Sequence, residues 1–245
     1  MRLRFTLAYD GSRFSGWQSQ SHGQAVQDAV EGAFRALCGG RVVVHGAGRT
    51  DAGVHAAGQC AHADVPDDRL PAAAWLPALN AHLPEGVRIM TLRRTKENFH
   101  ARFSAKGKIY RYTVWSGPVM PPLLLGRAWH VPQALDMAAL REACAAFAGR
   151  HDFAAFSARR PRRAGETTRT ISSVRVRKIG PLITLTFQGE GFLYKMVRML
   201  AASAIRRAAG RLPPGEIPRL LMEGGPRTNQ VAPAGGLCLV RVLYS

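Results

Sequence analysis

Apolar and polar residues alternate along LRFTLAYDG and stop at a turn, which predicts a strand over residues 3–11. VQDAVEGAFRALC, residues 26–38, repeats apolar side chains at helical spacing and stops at Gly39-Gly40, the pattern of a helix with a C-terminal stop. RVVVH predicts a short β-branched strand, and a glycine-rich loop follows it. VHAAGQCAHADV, residues 54–65, reads as a strand, RLPAAAWLPALNAHL as a helix and GVRIMTLRRT as a further strand. The resulting order over residues 3–95, β-α-β-β-α-β, is that of a split βαβ unit.

The second half repeats the theme loosely. KIYRYTVW, residues 108–115, alternates and is rich in aromatic and β-branched residues. MAALREACAAFAG, residues 137–149, predicts a helix with a glycine stop, and SSVRVRKIGPLITLTFQG predicts two strands around Gly180-Pro181. KMVRMLAASAIRRAAGRL predicts a helix, and GLCLVRVLY, residues 236–244, a last strand. SARRPRRAGETTRT, residues 157–170, has five arginines and little apolar content, so it reads as a basic loop. The expected organisation is two α+β halves, residues 1–105 and 106–245.

Composition narrows the class. With 47% apolar and 20% charged residues in 245, the chain is an ordinary folding sequence, so wholesale disorder is excluded. No apolar run reaches the length of a membrane span, and MRLRFTLAYDG turns polar too soon for a signal peptide. Cys38, Cys60, Cys144 and Cys238 are scattered without a CxxC pair, which argues against a zinc ribbon or redox motif and fits a reducing cytoplasm. His45, Cys60, His55 and His62 are close in sequence but lack zinc-ligand spacing.

Charge adds a partner. The formal net charge is +18, which points to a polyanion, because neutralising phosphates releases counterions. A genome that favours arginine codons would also enrich Arg over Lys, here 29 to 5, but it should load both halves alike. Residues 1–105 hold 12 basic and 9 acidic side chains, whereas residues 106–245 hold 22 and 7. The second half therefore builds most of a basic surface. Within it, Arg159, Arg160, Arg162 and Arg163 form a candidate phosphate-contact loop, with a merely solvated loop as the alternative.

The densest chemical signal is Gly46-Ala47-Gly48-Arg49-Thr50-Asp51-Ala52-Gly53-Val54-His55. Its glycines let the backbone turn tightly and approach a ligand. A dinucleotide fingerprint fails because Asp51 occupies its third glycine position, and a P-loop fails because no GK[ST] follows. Read without further context, the loop is equally an ordinary tight turn with an N-capping aspartate.

The string GRTDAGVHA resembles the signature of tRNA pseudouridine synthases of the TruA type. Further similar strings follow the family's order along nearly the whole chain: LAYDGSRFSGWQSQ, VQDAVEGAF, FHARFSAKGKIYRY, TRTI, GEGFLYKMVRML and APAGGL. Lys195 stands where many members carry Asn. The resemblance implies two ferredoxin-like or RRM-like α+β halves, their antiparallel sheets joined around a basic central cleft. It also implies isomerisation of uridine to pseudouridine at positions 38, 39 and 40 of the tRNA anticodon stem-loop. Neither a metal nor an organic cofactor is implied, and the working form is a cytoplasmic homodimer with no membrane association.

Site residues carry over one by one. Asp51 matches the catalytic aspartate, and Arg198 its basic partner, which implies a salt bridge from the other half. Tyr110 matches the tyrosine that packs on the target base, although Tyr112 shares its side-chain parity and competes for the role of core residue. Arg49 matches an arginine that enters the space left by the extruded base, with a phosphate contact as the other reading. Arg169 and Leu237 match further substrate-contact positions, Leu237 as a wall of the uracil pocket or as plain core. Phe99, Phe103, Phe192 and Tyr194 are expected in the core. An RNA-binding module of related fold without catalysis would share the charge and the aromatics but gains nothing from Asp51, which would repel its ligand. A nucleotide-binding enzyme using GAGRTDAG as a phosphate loop meets the same objection.

Overall fold

The computed structural model describes residues 1–21, 23–66, 70–158, 165–224 and 226–244. Arg159, Arg160, Arg162 and Arg163 lie outside the described residues. The elements run β1 (Arg2–Tyr9), α1 (Val26–Cys38), β2 (Val44–Gly46), β3 (His55–Asp64), α2 (Trp75–His82) and β4 (Val87–Arg94). They continue with β5 (Gly107–Trp115), β6 (Trp129–His130), α3 (Met137–Ala146), β7 (Gly149–Asp152), β8 (Thr168–Ile179) and β9 (Leu182–Gly189). The last are α4 (Met196–Ala208), α5 (Glu216–Glu223) and β10 (Leu237–Leu243).

The chain divides into two compact units, Met1–Lys106 with Cys238–Ser245, and Gly107–Leu237. This corrects the expected 106–245 half. The last strand leaves it and pairs in parallel with β3, Cys238 opposite His55 and Leu239 opposite Ala56.

In the first unit, β1 lies antiparallel between β4 and β3, and β2 pairs antiparallel with β3. The order β4-β1-β3-β2 is the split βαβ order expected from the sequence. β2 occupies the far half of the outer edge of β3, through His45 opposite His62, and β10 occupies the near half. Alternation along β1 sends Leu3, Phe5, Leu7 and Tyr9 into the core. Phe5 meets Phe34 of α1, and Phe34 meets Trp75 of α2, at ring separations of 5.6 and 6.0 Å. Both helices thus cover one face of the sheet. Helix α1 begins where Asp28 accepts the Ala25 N–H and ends on Gly39, whose φ of 69° only glycine adopts freely.

In the second unit, β5 pairs with β9, β9 with β8 and β8 with β7, all antiparallel, while the short β6 lies parallel to β5. Gly180, at φ 55°, and Pro181 close the β8–β9 hairpin between Ile179 and Leu182. Tyr112, Val114, Ile183, Leu185 and Phe187 are buried. Helices α3 and α4 pack on each other, α3 on β8 and α4 on β5. Two expectations shift here. The 137–149 helix stops at Ala146 because Gly149 opens β7. The basic loop ends before residue 170, because Thr168, Arg169 and Thr170 are drawn into β8 by pairing with Asp152, His151 and Arg150 of β7.

Candidate active site

The glycine-rich stretch is the loop between the antiparallel strands β2 and β3. Its conformation is fixed from several sides, all within the first unit. Thr50, one residue before Asp51, is buried; its hydroxyl lies 2.8 Å from the Tyr9 hydroxyl, and its carbonyl accepts the Trp17 N–H at 3.0 Å. Gln59 Nε2 donates to the Gly48 carbonyl at 2.8 Å, and the Ala47 N–H to the Cys60 carbonyl at 2.8 Å. After Asp51, the Val54 N–H returns to the Asp51 carbonyl at 3.1 Å, with Gly53 at φ 78° in the turn. His55 Nδ1 lies 3.1 Å from the Gly11 N–H, which donates to it, and 3.2 Å from Asp10 Oδ1.

Glycines enforce the close approach. At Gly16, where φ is 97°, a Cβ would stand 2.7 Å from the Thr50 carbonyl oxygen. At Gly46 it would stand 2.4 Å from the Trp17 indole. The loop is therefore clamped between the 11–17 segment and the start of β3. Asp51 is half-buried at its apex, and Arg49 is exposed, its Nε donating to Gln18 Oε1 at 3.0 Å. Sequence patterning marks the loop but not its supports: Tyr9, Trp17 and Gln59 look like ordinary strand and loop residues.

The remaining expected residues lie in the second unit. Tyr110 is 7% exposed and meets Phe192 edge-on at 5.2 Å. Tyr112 is fully buried, donates its hydroxyl to the Pro233 carbonyl at 2.8 Å, and has its phenol pKa pushed up by burial. Both tyrosines are buried, Tyr112 the more completely. Arg198, half-buried on α4, donates from Nε to the Ala232 carbonyl at 2.8 Å, and its own carbonyl accepts the Ala232 N–H at 3.3 Å. Its charge also lies close enough to Tyr112 to oppose that pKa rise. Arg198, Tyr112 and the 232–236 segment thus form one cluster. Gly236 belongs to it, since a Cβ there would stand 2.7 Å from the Tyr112 ring. Leu237 follows directly and is 6% exposed.

Arg169 is apart from this cluster in the unit's hydrogen bonding. Its Nη1 donates to the carbonyls of Glu166 and Thr168 at 2.9 and 2.6 Å. It lines an open depression of about 400 Å³ with Arg150, Gly165, Thr168, Thr170, Glu190 and Gly191. Arg150 is a site candidate that no sequence motif singles out, and Glu190 one that lies within the GEGFLYKMVRML string. The aromatic expectations are corrected in two cases: Phe103 is 77% exposed and Tyr194 49%, while Phe99 and Phe192 are half-buried. Among the described residues, no group of His, Cys, Asp and Glu is arranged to hold a metal ion, and no helix is long and apolar enough to cross a membrane.

A family model described as tRNA pseudouridine synthase matches residues 6–104 and 143–245. A protein of Akkermansia muciniphila named tRNA pseudouridine synthase A is 46% identical over 99% of this chain and 95% of its own length. Proteins of the same name from Solidesulfovibrio magneticus and Syntrophotalea carbinolica are 45% and 39% identical over 99% of this chain, covering 91% and 96% of their own lengths.

Proposed function

The chain belongs to the tRNA pseudouridine synthase family, and from that premise we propose that it isomerises uridine to pseudouridine at positions 38, 39 and 40 of the tRNA anticodon stem-loop, with Asp51 as the catalytic carboxylate. The observation that carries this reading is the clamped loop. A half-buried carboxylate sits at the apex of a hairpin whose backbone is tied down on both sides of it. A group that must meet one atom of a large substrate needs that fixed placement.

The reaction breaks the bond from ribose C1′ to N1 and forms one from C1′ to C5; the hydrogen on C5 leaves to water, and N1 takes up a proton in its place. Bond breaking develops positive charge at C1′, and the carboxylate of Asp51 balances it. Arg198 is its basic partner in the chemistry. Tyr110 offers an aromatic face to the uracil, and Leu237 an apolar wall. A stacked base cannot be reached, so the uridine is extruded at a cost of about a few kcal/mol, which the guanidinium of Arg49 offsets by entering the vacated space. Arg169 contacts the RNA backbone from the depression it shares with Arg150. The protein works as a homodimer in the cytoplasm.

The test is tritium release from a tRNA transcript labelled at uridine C5, comparing the parent with Asp51→Ala. Release by the parent and none by a variant that still binds tRNA is the expected outcome. A folded parent that binds tRNA without release would leave a non-catalytic RNA-binding module. Collapse of tRNA binding in Asp51→Ala would make Asp51 structural.

A further inference from the structure

The helix-free face of the first unit's sheet carries polar side chains. Register puts Arg4, His62 and His45 across from one another on β1, β3 and β2, on the side opposite Phe5. Residues 97–106 fold over this face and are pinned there. Arg2 donates to the carbonyls of Glu97 and Phe99. Arg4 lies over the Phe99 and Tyr244 rings at 4.7 and 4.1 Å, and Tyr244 donates its hydroxyl to the Ala101 carbonyl at 2.6 Å. The Ala101 N–H meets His62 Nδ1 at 3.1 Å.

On that base stands a closed turn. The Ser104 N–H donates to the His100 carbonyl at 2.9 Å, and the His100 N–H to Ser104 Oγ at 3.0 Å. His100 Nδ1 accepts the N–H groups of both Arg102 and Phe103, at 3.1 and 3.3 Å. The turn holds Phe103 outward, 77% exposed, with its ring 4.3 Å from the His100 ring and the Arg102 guanidinium 5.7 Å from its centroid. Beneath it the rings continue, His100 to His62 at 4.7 Å and His62 to His45 at 5.0 Å.

We propose that Phe103 is a stacking platform for a nucleobase of the tRNA other than the target uridine. The proposal rests on the tRNA-modifying reading above. A loose loop would let a phenylalanine fold onto the protein, whereas this turn spends four hydrogen bonds keeping it out. A flat ring with a guanidinium at its side is the arrangement that receives an unstacked base and its phosphate together. A second copy of the chain is the less fitting occupant, because the ring contacts of Phe103 are with the His100 imidazole and the Arg102 guanidinium rather than with a broad apolar patch. The Arg102 guanidinium beside the ring favours the anion as well.

The test measures tRNA affinity by fluorescence anisotropy, oligomeric state by sedimentation and tritium release, for the parent, Phe103→Ala and Phe103→Trp. The expected result is about tenfold weaker tRNA binding for Phe103→Ala, as for the loss of one base–aromatic stack. Turnover at saturating tRNA and sedimentation stay unchanged. Phe103→Trp retains the affinity, and its added indole fluorescence is quenched on titration with tRNA. Unchanged affinity in Phe103→Ala overturns the proposal, and so does an altered oligomeric state, which would assign the ring to a second copy. Failure of the underlying reading shows in the parent alone, as absence of tritium release, and is separable from either result.

Discussion

The hydroxyls of Tyr9 and Thr50 lie 2.8 Å apart in the interior of the first unit, one residue from Asp51. Tyr9 is 5% exposed at the end of β1, and burial holds its phenol well above the usual tyrosine range, so it stays neutral. The pair ties the Asp51 loop to the sheet through a buried side chain. Tyr9→Phe keeps the ring and its packing but leaves Thr50 Oγ1 without this partner. The expected loss is about 1–2 kcal/mol of stability in urea denaturation. Turnover should fall more than tRNA affinity, because the loop carries Asp51, the proposed catalytic carboxylate. An equal loss in both would make the contact a general determinant of fold.

Lys195 is the only non-glycine residue with positive φ among the described residues, at 59°, and it directly precedes α4, three residues before Arg198. A lysine in the left-handed region is strained by roughly 1 kcal/mol, whereas Asn tolerates it through its short polar side chain. Lys195→Asn is expected to raise stability by about 0.5–1 kcal/mol in the same denaturation measurement. Lys195→Val, whose branched Cβ suits the conformation least, should lower it. If both variants match the parent, the backbone relaxes and no strain is stored there.

Much of the first unit was legible because period-2 and period-3.6 patterns change cleanly between Leu3 and Thr95, and each pattern reports a buried face. Patterning specifies a face and not a neighbour. GLCLVRVLY reads as a strand, but nothing in it says that it will return to β3 rather than stay with the residues before it. Arg169 stands out in the sequence as a contact position but reads as part of a basic loop because composition there is polar, while the pairing with His151 that makes it a strand residue is non-local. Phe103 reads as interior because isolated aromatics usually are. What keeps it outside is a hydrogen-bonded turn built by His100 and Ser104, and such a turn has no hydrophobic signature. Asp51 was conspicuous through its glycines, whereas its supports at Tyr9 and Trp17 become visible only when the 11–17 segment is seen clamped on the loop.

His62 gives the fold an acid limit that can be read directly. Burial, and then the neighbouring His100, His45 and Arg2, push its pKa down from 6.5 to about 4, against a smaller opposing pull from Asp64. His100 is lowered too, first by burial and then by His45, Arg2 and Arg102. Both rings bind a proton more readily in the unfolded chain than in the fold. Their contribution to stability is therefore fully present above about pH 6.5 and is lost as pH falls toward 4. For His62 the whole window is worth at most about 3 kcal/mol. The urea midpoint should accordingly drop between pH 6.5 and 4. His62→Gln, which keeps an acceptor for the Ala101 N–H but cannot titrate, should flatten that drop. Imidazole NMR titration checks the cause: a His62 midpoint near 4 is expected, and one at 6 or above would show that water reaches the ring and that the acid sensitivity arises elsewhere.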